Sequence, residues 1–271
     1  MTMYDLFSFE GKGPVGGDYR ITEVKRALSP SGLPGLDYAL NPYGGCEHGC
    51  LYCYAPNILH LSREEWGREV KVKANLPLLL SRELKGREGV IGIGTVTDPY
   101  QPVEREARIT RKCLQVIARH GNRASLHTKS DLVLRDLDLL RSSVEVGVTI
   151  TGIDERLSAV LEPGAPSPVR RLEAVAELVG EGIDAYVLVG PLLPSVGGVE
   201  EFARRIARTG VRTVMLDRFR SRPGMCEHMR KVMIEHGYDG KDFVSRLGAD
   251  HPSGGLEESL RERGLECVRA F

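Results

Sequence analysis

Three cysteines within eight residues, Cys46, Cys50 and Cys53, carry the strongest chemical signal in this chain. Their spacing is C-x3-C-x2-C, and Gly44, Gly45 and Gly49 free the backbone to wrap around whatever the thiolates hold. Thiolates this close on one loop can each ligate one iron of a cubane [4Fe-4S] cluster, which leaves the fourth iron open. Structural zinc is the alternative. It takes four protein ligands, and the fourth would be His48 or a distant cysteine. Cys113, Cys226 and Cys267 are too widely separated for a metal motif, and Cys113 falls inside a helical pattern as a small apolar residue.

The elements that position this loop alternate along the chain. Strand patterns run over Asp37–Leu40, Val90–Thr97, Ala124–Thr128, Val144–Thr151, Ala185–Val189 and Val211–Leu216. Helical patterns run over Ala74–Leu84, Glu104–His120, Leu132–Arg141, Pro168–Gly180 and Val199–Arg208. The fourth helix is the clearest: Ser167 caps it, Pro168 suits its first position, and Val169, Leu172, Val175, Ala176 and Val179 form an apolar face. Six β-α alternations with no GxGxxG after the first strand predict an α/β fold, a partial (β/α)6 TIM-like barrel. Residues 1–36 read as a glycine-rich, extended N-terminal extension, 37–240 as the barrel, and 241–271 as a short C-terminal tail. Within that tail the stretch from Lys241 reads as a loop, followed by a short helix near Leu256–Arg263 and a closing extended segment.

In a parallel barrel, chemistry gathers where the strands end. Thr95, Thr97 and Asp98 close the second strand, His127, Thr128 and Lys129 the third, and Thr149 and Thr151 alternate on one face of the fourth. The turn from Asp98 to Glu104 concentrates a carboxylate, a phenol and an amide beside that end, making Tyr100 and Glu104 the catalytic candidates. Arg218, Arg220 and Arg222 alternate after the sixth strand, where they either face an anionic substrate or line solvated surface.

The cysteine block, with aromatic Tyr52 before the third cysteine, resembles the radical S-adenosylmethionine (radical SAM) superfamily. NPYGGCEHGCLYCYA, GTVTDPYQPVE at 94–104, HTKSDLVLRDLDLL at 127–140 and LEPGAPSPVRRLEAV at 161–175 look like its spore photoproduct lyase-like branch. The resemblance implies a partial (β/α)6 barrel with the cluster loop after the first strand. It also implies a [4Fe-4S] cluster on Cys46, Cys50 and Cys53, and SAM on its open iron, cleaved to a 5′-deoxyadenosyl radical. By the same resemblance Tyr54, Thr97, Lys129 and Thr149 lie against SAM; Asp98 and Thr151, from their places at the strand ends, complete the cofactor-binding candidates. The branch uses a cysteine near the end of the second strand as hydrogen donor, and here that position is Thr95.

Composition narrows the partners. Lysine plus arginine and aspartate plus glutamate both total 37, so net charge gives no sign of nucleic-acid binding. No secretory pattern and no long apolar run is found, which predicts a cytoplasmic protein that does not enter membranes. A monomer is expected, served by a reductant such as flavodoxin or ferredoxin. The substrate stays open between a nucleic acid, as in photoproduct repair, and a protein, tRNA or small metabolite. A metal-knuckle binding protein without catalysis is the reading from another class.

Overall fold

The structure is a computed structural model that describes residues 18–141, 143–194, 198–247 and 255–270. Its strands are β1 (Asp18–Thr22), β2 (Leu28–Pro30), β3 (Tyr38–Leu40), β4 (Tyr43–Gly44), β5 (Glu69–Lys73), β6 (Val90–Ile93), β7 (Arg123–Thr128), β8 (Val144–Thr149), β9 (Ala185–Val189), β10 (Thr213–Leu216) and β11 (Glu266–Arg269). The larger sheet has the order β2-β3-β6-β7-β8-β9-β10-β11 and is parallel except where β2 meets β3. This is an α/β partial barrel, open between β2 and β11. Ile93, Leu126, Val146, Val148, Val187 and Val214 on its outer face are fully buried, the pattern of parallel strands covered by helices.

The six expected parallel strands are present as β3 and β6 to β10, four of them shorter than the apolar runs suggest. β6 stops at Ile93 because Gly94 takes φ +88°, where an added Cβ would lie 2.6 Å from Pro99 Cδ and 2.8 Å from the His127 carbonyl. The expected helix over Glu104–His120 is broken into Glu104–Ala107 and Ile109–His120 at Arg108, which takes a left-handed φ of 52°. Glu104 makes the break useful, since its carboxylate accepts from the Thr110 and Arg111 amides at 2.9 and 3.2 Å and caps the second helix. The expected helix over Leu132–Arg141 is a 3-10 segment, Asp131–Asp136, running into Leu137–Leu140. Helices Pro168–Gly180 and Val199–Arg208 form as expected.

Three segments depart further from expectation. The described part of the extension is paired strand: β1 lies parallel to β5, whose Val70 and Val72 alternate with charged residues, and β2 lies against β3. Helix Met225–Glu235 was not expected, and Gly240–Arg246 is helical where a loop was expected, capped by Asp239. The tail then adds helix Leu256–Glu262 and β11 beside β10, while the Asp-His-Pro-Ser-Gly run at 250–254 lies outside the described residues.

Of the expected apolar face of helix Pro168–Gly180, Leu172 and Val175 are buried, Val169 and Val179 are half-buried and Ala176 is exposed; Ala174 and Leu178 are buried beside them, and Arg171 is fully buried. The Arg171 guanidinium donates to Pro166 O at 2.7 Å and Thr149 O at 3.3 Å, and pairs at 2.5 Å with Glu162, also fully buried. Removing one member leaves the other as an unpaired buried charge, so Arg171→Leu is expected to cost about 3–5 kcal/mol in chemical denaturation. The double variant Arg171→Met with Glu162→Gln is expected to recover most of that loss.

Candidate active site

β4 delivers the chain to the cysteines, and its partner β5 fixes the approach. Gly45 sits at φ +90°, where an added Cβ would fall 2.3 Å from the Glu69 carbonyl, so only glycine passes β5 this closely. The Gly45 carbonyl accepts from Thr97 Oγ1 at 2.6 Å and Gln101 Nε2 at 3.3 Å. The Glu47 amide donates to Gln101 Oε1 at 2.9 Å, and its carboxylate takes Tyr19 OH at 2.6 Å and the Val103 amide at 2.7 Å. On the other side the loop rests on the end of helix Glu155–Leu161: Leu51 N donates to Leu161 O at 2.9 Å, and Gly164 N to His48 O at 3.0 Å. A Cβ on Gly164 would lie 2.0 Å from the Glu47 carbonyl, so this contact also requires glycine. Tyr52 OH donates to Glu162, which also accepts from Thr151 and Ser158.

Cys46 and Cys50 are buried and Cys53 is half-buried. Burial pushes all three thiols up, while Lys129 draws Cys50 and Cys53 back toward ionisation. Alone they are neutral thiols; a bound cation would displace their protons and hold them as thiolates. Among the described residues no three His, Cys, Asp or Glu side chains close on a single ion, as one zinc requires. Three cysteines at C-x3-C-x2-C spacing on a glycine-wrapped loop, two buried and one half-buried, fit a cluster that takes one thiolate per iron. His48, between the first two cysteines, leaves Nε2 buried without a protein partner, a polar atom suited to a non-protein group in the loop.

His48 Nδ1 lies 3.2 Å from Asp98 Oδ2, and this carboxylate ties the cysteine loop to the barrel. Asp98 also accepts from the Tyr100 amide at 2.8 Å, Thr128 Oγ1 at 2.7 Å and the Lys129 amide at 2.7 Å. Burial works to raise its pKa, but His48, the Lys129 amide and the Thr128 hydroxyl overcome it and hold the group down at about 2. Lys129 Nζ stands 5.5 Å from the centre of the Tyr52 ring, a cation–π contact at the cysteine loop.

The structure therefore divides the expected site residues. Lys129, Thr149 and Tyr54 gather at the cysteine end of the barrel; Tyr54 donates to the Thr95 carbonyl, and Thr95 Oγ1 is bonded to Asn41 at 3.0 Å. Thr97, Asp98 and Thr151 are committed to Gly45, His48 and Glu162, so they shape the loop rather than offer free groups to a cofactor. Tyr100 and Glu104, expected at the reaction, are fully buried behind the loop. Tyr100 OH donates to Asp136 at 3.0 Å, and Glu104 takes Tyr43 OH and Arg135 Nη2, the latter at 2.6 Å. Every such contact is internal, which makes them supports for Tyr43 and the cysteine approach. Cys113 is fully buried in helix Ile109–His120. Arg220 pairs with Asp217 at 2.8 Å, and Arg218 and Arg222 are exposed.

Sequence reasoning missed the concave face below Lys129. Along β9 and β10, Leu188, Met215 and Asp217 are partly open where the alternating Val187, Val189, Val214 and Leu216 are buried. One layer deeper, His127, Gly147 and Tyr186 stand in register on β7, β8 and β9. A Cβ on Gly147 would meet the Tyr186 ring at 2.6 Å and His127 at 2.8 Å, so glycine lets His127 Nε2 and Tyr186 OH bond across it. The readable signal was a glycine inside a strand. Burial, helped by Lys129, lowers the His127 pKa to about 4.

A family model for the Radical SAM superfamily matches residues 40–206. The chain belongs to the radical SAM superfamily. Membership implies an iron-sulfur cluster and SAM. Among curated relatives, an uncharacterised protein of Methanocaldococcus jannaschii is 38% identical over 182 residues, covering 66% of this chain and 69% of that one. An uncharacterised protein of Mycobacterium tuberculosis is 33% identical over 185 residues, covering 64% of this chain. The match spans only 54% of that mycobacterial protein. A spore photoproduct lyase complexed with dinucleoside spore photoproduct shares the fold at TM-score 0.71 and 17% identity, covering 93% of this chain and 82% of that one. SuiB of Streptococcus suis bound to S-adenosylmethionine follows at TM-score 0.52 and 12% identity, covering 85% of this radical SAM chain and 49% of SuiB.

The lowered His127 pKa sets a pH test. Its ordinary value is about 6.5, so the neutral ring gives stability that is complete above pH about 6.5 and lost as pH falls toward about 4. Denaturant midpoints should fall more steeply for wild type than for His127→Gln across that window; equal slopes would place the ring in solvent.

Proposed function

We propose that the chain is a radical SAM enzyme that acts on a substrate held against the concave face of the barrel. Three cysteines on one glycine-wrapped loop, two buried and one half-buried, with Lys129 beside them, carry this reading. Cys46, Cys50 and Cys53 would hold the [4Fe-4S] cluster, and Lys129, Thr149 and Tyr54 would hold SAM. When bound and supplied with one electron from an outside reductant, the cluster and SAM would together furnish a 5′-deoxyadenosyl radical able to abstract hydrogen.

The chain's own residues bind, orient and exclude water. The Lys129 ammonium is a point charge with three donors, matched to a carboxylate, and Asp98 fixes its backbone relative to His48. Glu162 fixes Tyr52 under the lysine. His127, neutral and bonded to Tyr186, puts no charge on this face. Thr95 supports a substrate other than a thymine photoproduct: its hydroxyl, tied to Asn41, is no thiol hydrogen donor. No described helix is long and apolar enough to cross a membrane.

Two measurements test the reading. Anaerobic reconstitution is expected to give about four irons and four sulfides per chain, and reduced protein with SAM to release 5′-deoxyadenosine. Cys50→Ala abolishes that release; one zinc and no iron would instead make the loop a structural knuckle. Lys129→Ala is expected to keep the iron and weaken SAM binding about tenfold, in line with the loss of one charge-assisted contact. Unchanged affinity removes the lysine from the cofactor site.

A further inference from the structure

A cluster in this loop has to receive an electron from outside the protein, and this inference rests on the reading above that the loop holds one. Helix Ala55–Leu59 follows Cys53 directly. Its Ile58 is 53% exposed, the largest exposure of a large apolar side chain among the described residues, and Tyr54 at its start is 38% exposed. Cys53 is also the least buried of the three cysteines. Arg63 donates to the Cys53 carbonyl and to Asn57 Oδ1, so its guanidinium stands on the same helix. Asn57 Nδ2 donates to Pro223 O at 3.4 Å, which joins this helix to the segment after β10. That segment brings Arg220 and Arg222 into the electrostatic surroundings of Tyr54. Both are exposed, and Arg222 makes no ion pair among the described residues. Of the nearby carboxylates, Asp217 and Glu227 are already paired, with Arg220 and Arg230, Glu65 accepts from the Ser62 amide, and Glu64 is exposed beside Arg63.

An exposed isoleucine and tyrosine with Arg63, Arg220 and Arg222 nearby thus lie on the chain immediately outside a cluster ligand. Aromatic and apolar residues with arginine are the composition of a protein interface, while phosphate gains nothing from Ile58. We propose that this surface docks the electron donor, a small one-electron carrier protein with an acidic face. The carrier gives up one electron and the cluster takes it up, with no bond made or broken.

The test uses the iron-loaded protein and reduced flavodoxin as the carrier, following bleaching of the cluster's visible absorption. Arg222→Glu and Ile58→Glu, together, are expected to slow reduction by about tenfold at low salt, with the wild-type rate itself falling as salt rises. Reduction by photogenerated deazaflavin radical, a small neutral donor, is expected to stay unchanged, as is the iron content. Equal slowing with deazaflavin, or an unchanged flavodoxin rate, overturns the proposal. Fluorescence anisotropy with a labelled single-stranded DNA supplies the other arm: variants that lose DNA binding but keep the flavodoxin rate assign the surface to a polyanion, and the proposal fails. A protein that takes up no iron overturns the functional reading itself, a result distinct from an iron-loaded protein whose reduction ignores both substitutions.

Discussion

The ion pair between Glu162 and Arg171, both fully buried, is the interaction on which the rest of the site depends. Burying two charges costs several kcal/mol per ion before attraction repays any of it, so such a pair is poor value as a stabiliser alone. Its worth lies in what the two groups fix at once. Glu162 ends helix Glu155–Leu161 and takes the Tyr52, Thr151 and Ser158 hydroxyls; Arg171 takes Thr149 O and Pro166 O from helix Pro168–Gly180. The end of β8, two helices and the residue before the third cysteine are therefore held in one register. An apolar pair of the same volume would pack there but would leave Tyr52 OH without its acceptor, and buried hydroxyls are costly to strand.

Asp98 does the corresponding work from the other side of the loop. It is ionised, buried and surrounded by donors from the cysteine loop, its own turn and β7. Because His48 and the Lys129 amide share its Oδ2 oxygen, a shift of the cysteine loop is felt at the backbone of the lysine. The cysteines and Lys129 are thus positioned by two carboxylates, neither of which need touch a reacting atom.

How much of this was legible depends on the range of each interaction. β6 to β10 could be read because their outward residues form apolar runs that packing under helices demands. The cysteine loop could be read because all its cysteines and glycines are local. Arg171 could not: in a helix that repeats every turn, an arginine reads as a solvated face, and only Glu162, nine positions earlier in a separate helix, makes it a core residue. Tyr100 and Glu104 read as chemistry because a phenol and a carboxylate share a turn at the reactive end. Their partners, Asp136 and Tyr43, are 36 and 61 residues away, and that pairing turns them into supports. β1 was missed for the same reason, since its alternation gains meaning only through β5.

The concave face shows what the fold gives up for its site. Glycine inside a strand weakens it, because the backbone loses more freedom and no side chain packs in return. Gly147 is nonetheless the residue on β8 between His127 and Tyr186, and any Cβ there would strike both rings. With glycine the phenol reaches the imidazole across the strand, and burial with Lys129 above keeps that imidazole neutral. The face is then layered: a cation at the cysteine end and uncharged hydrogen-bonding groups beneath it. A second cation at His127 would repel Lys129. Under the proposed function, neutrality at the deeper layer would leave charge recognition to Lys129 and the cofactor, and shape and hydrogen bonding to the substrate.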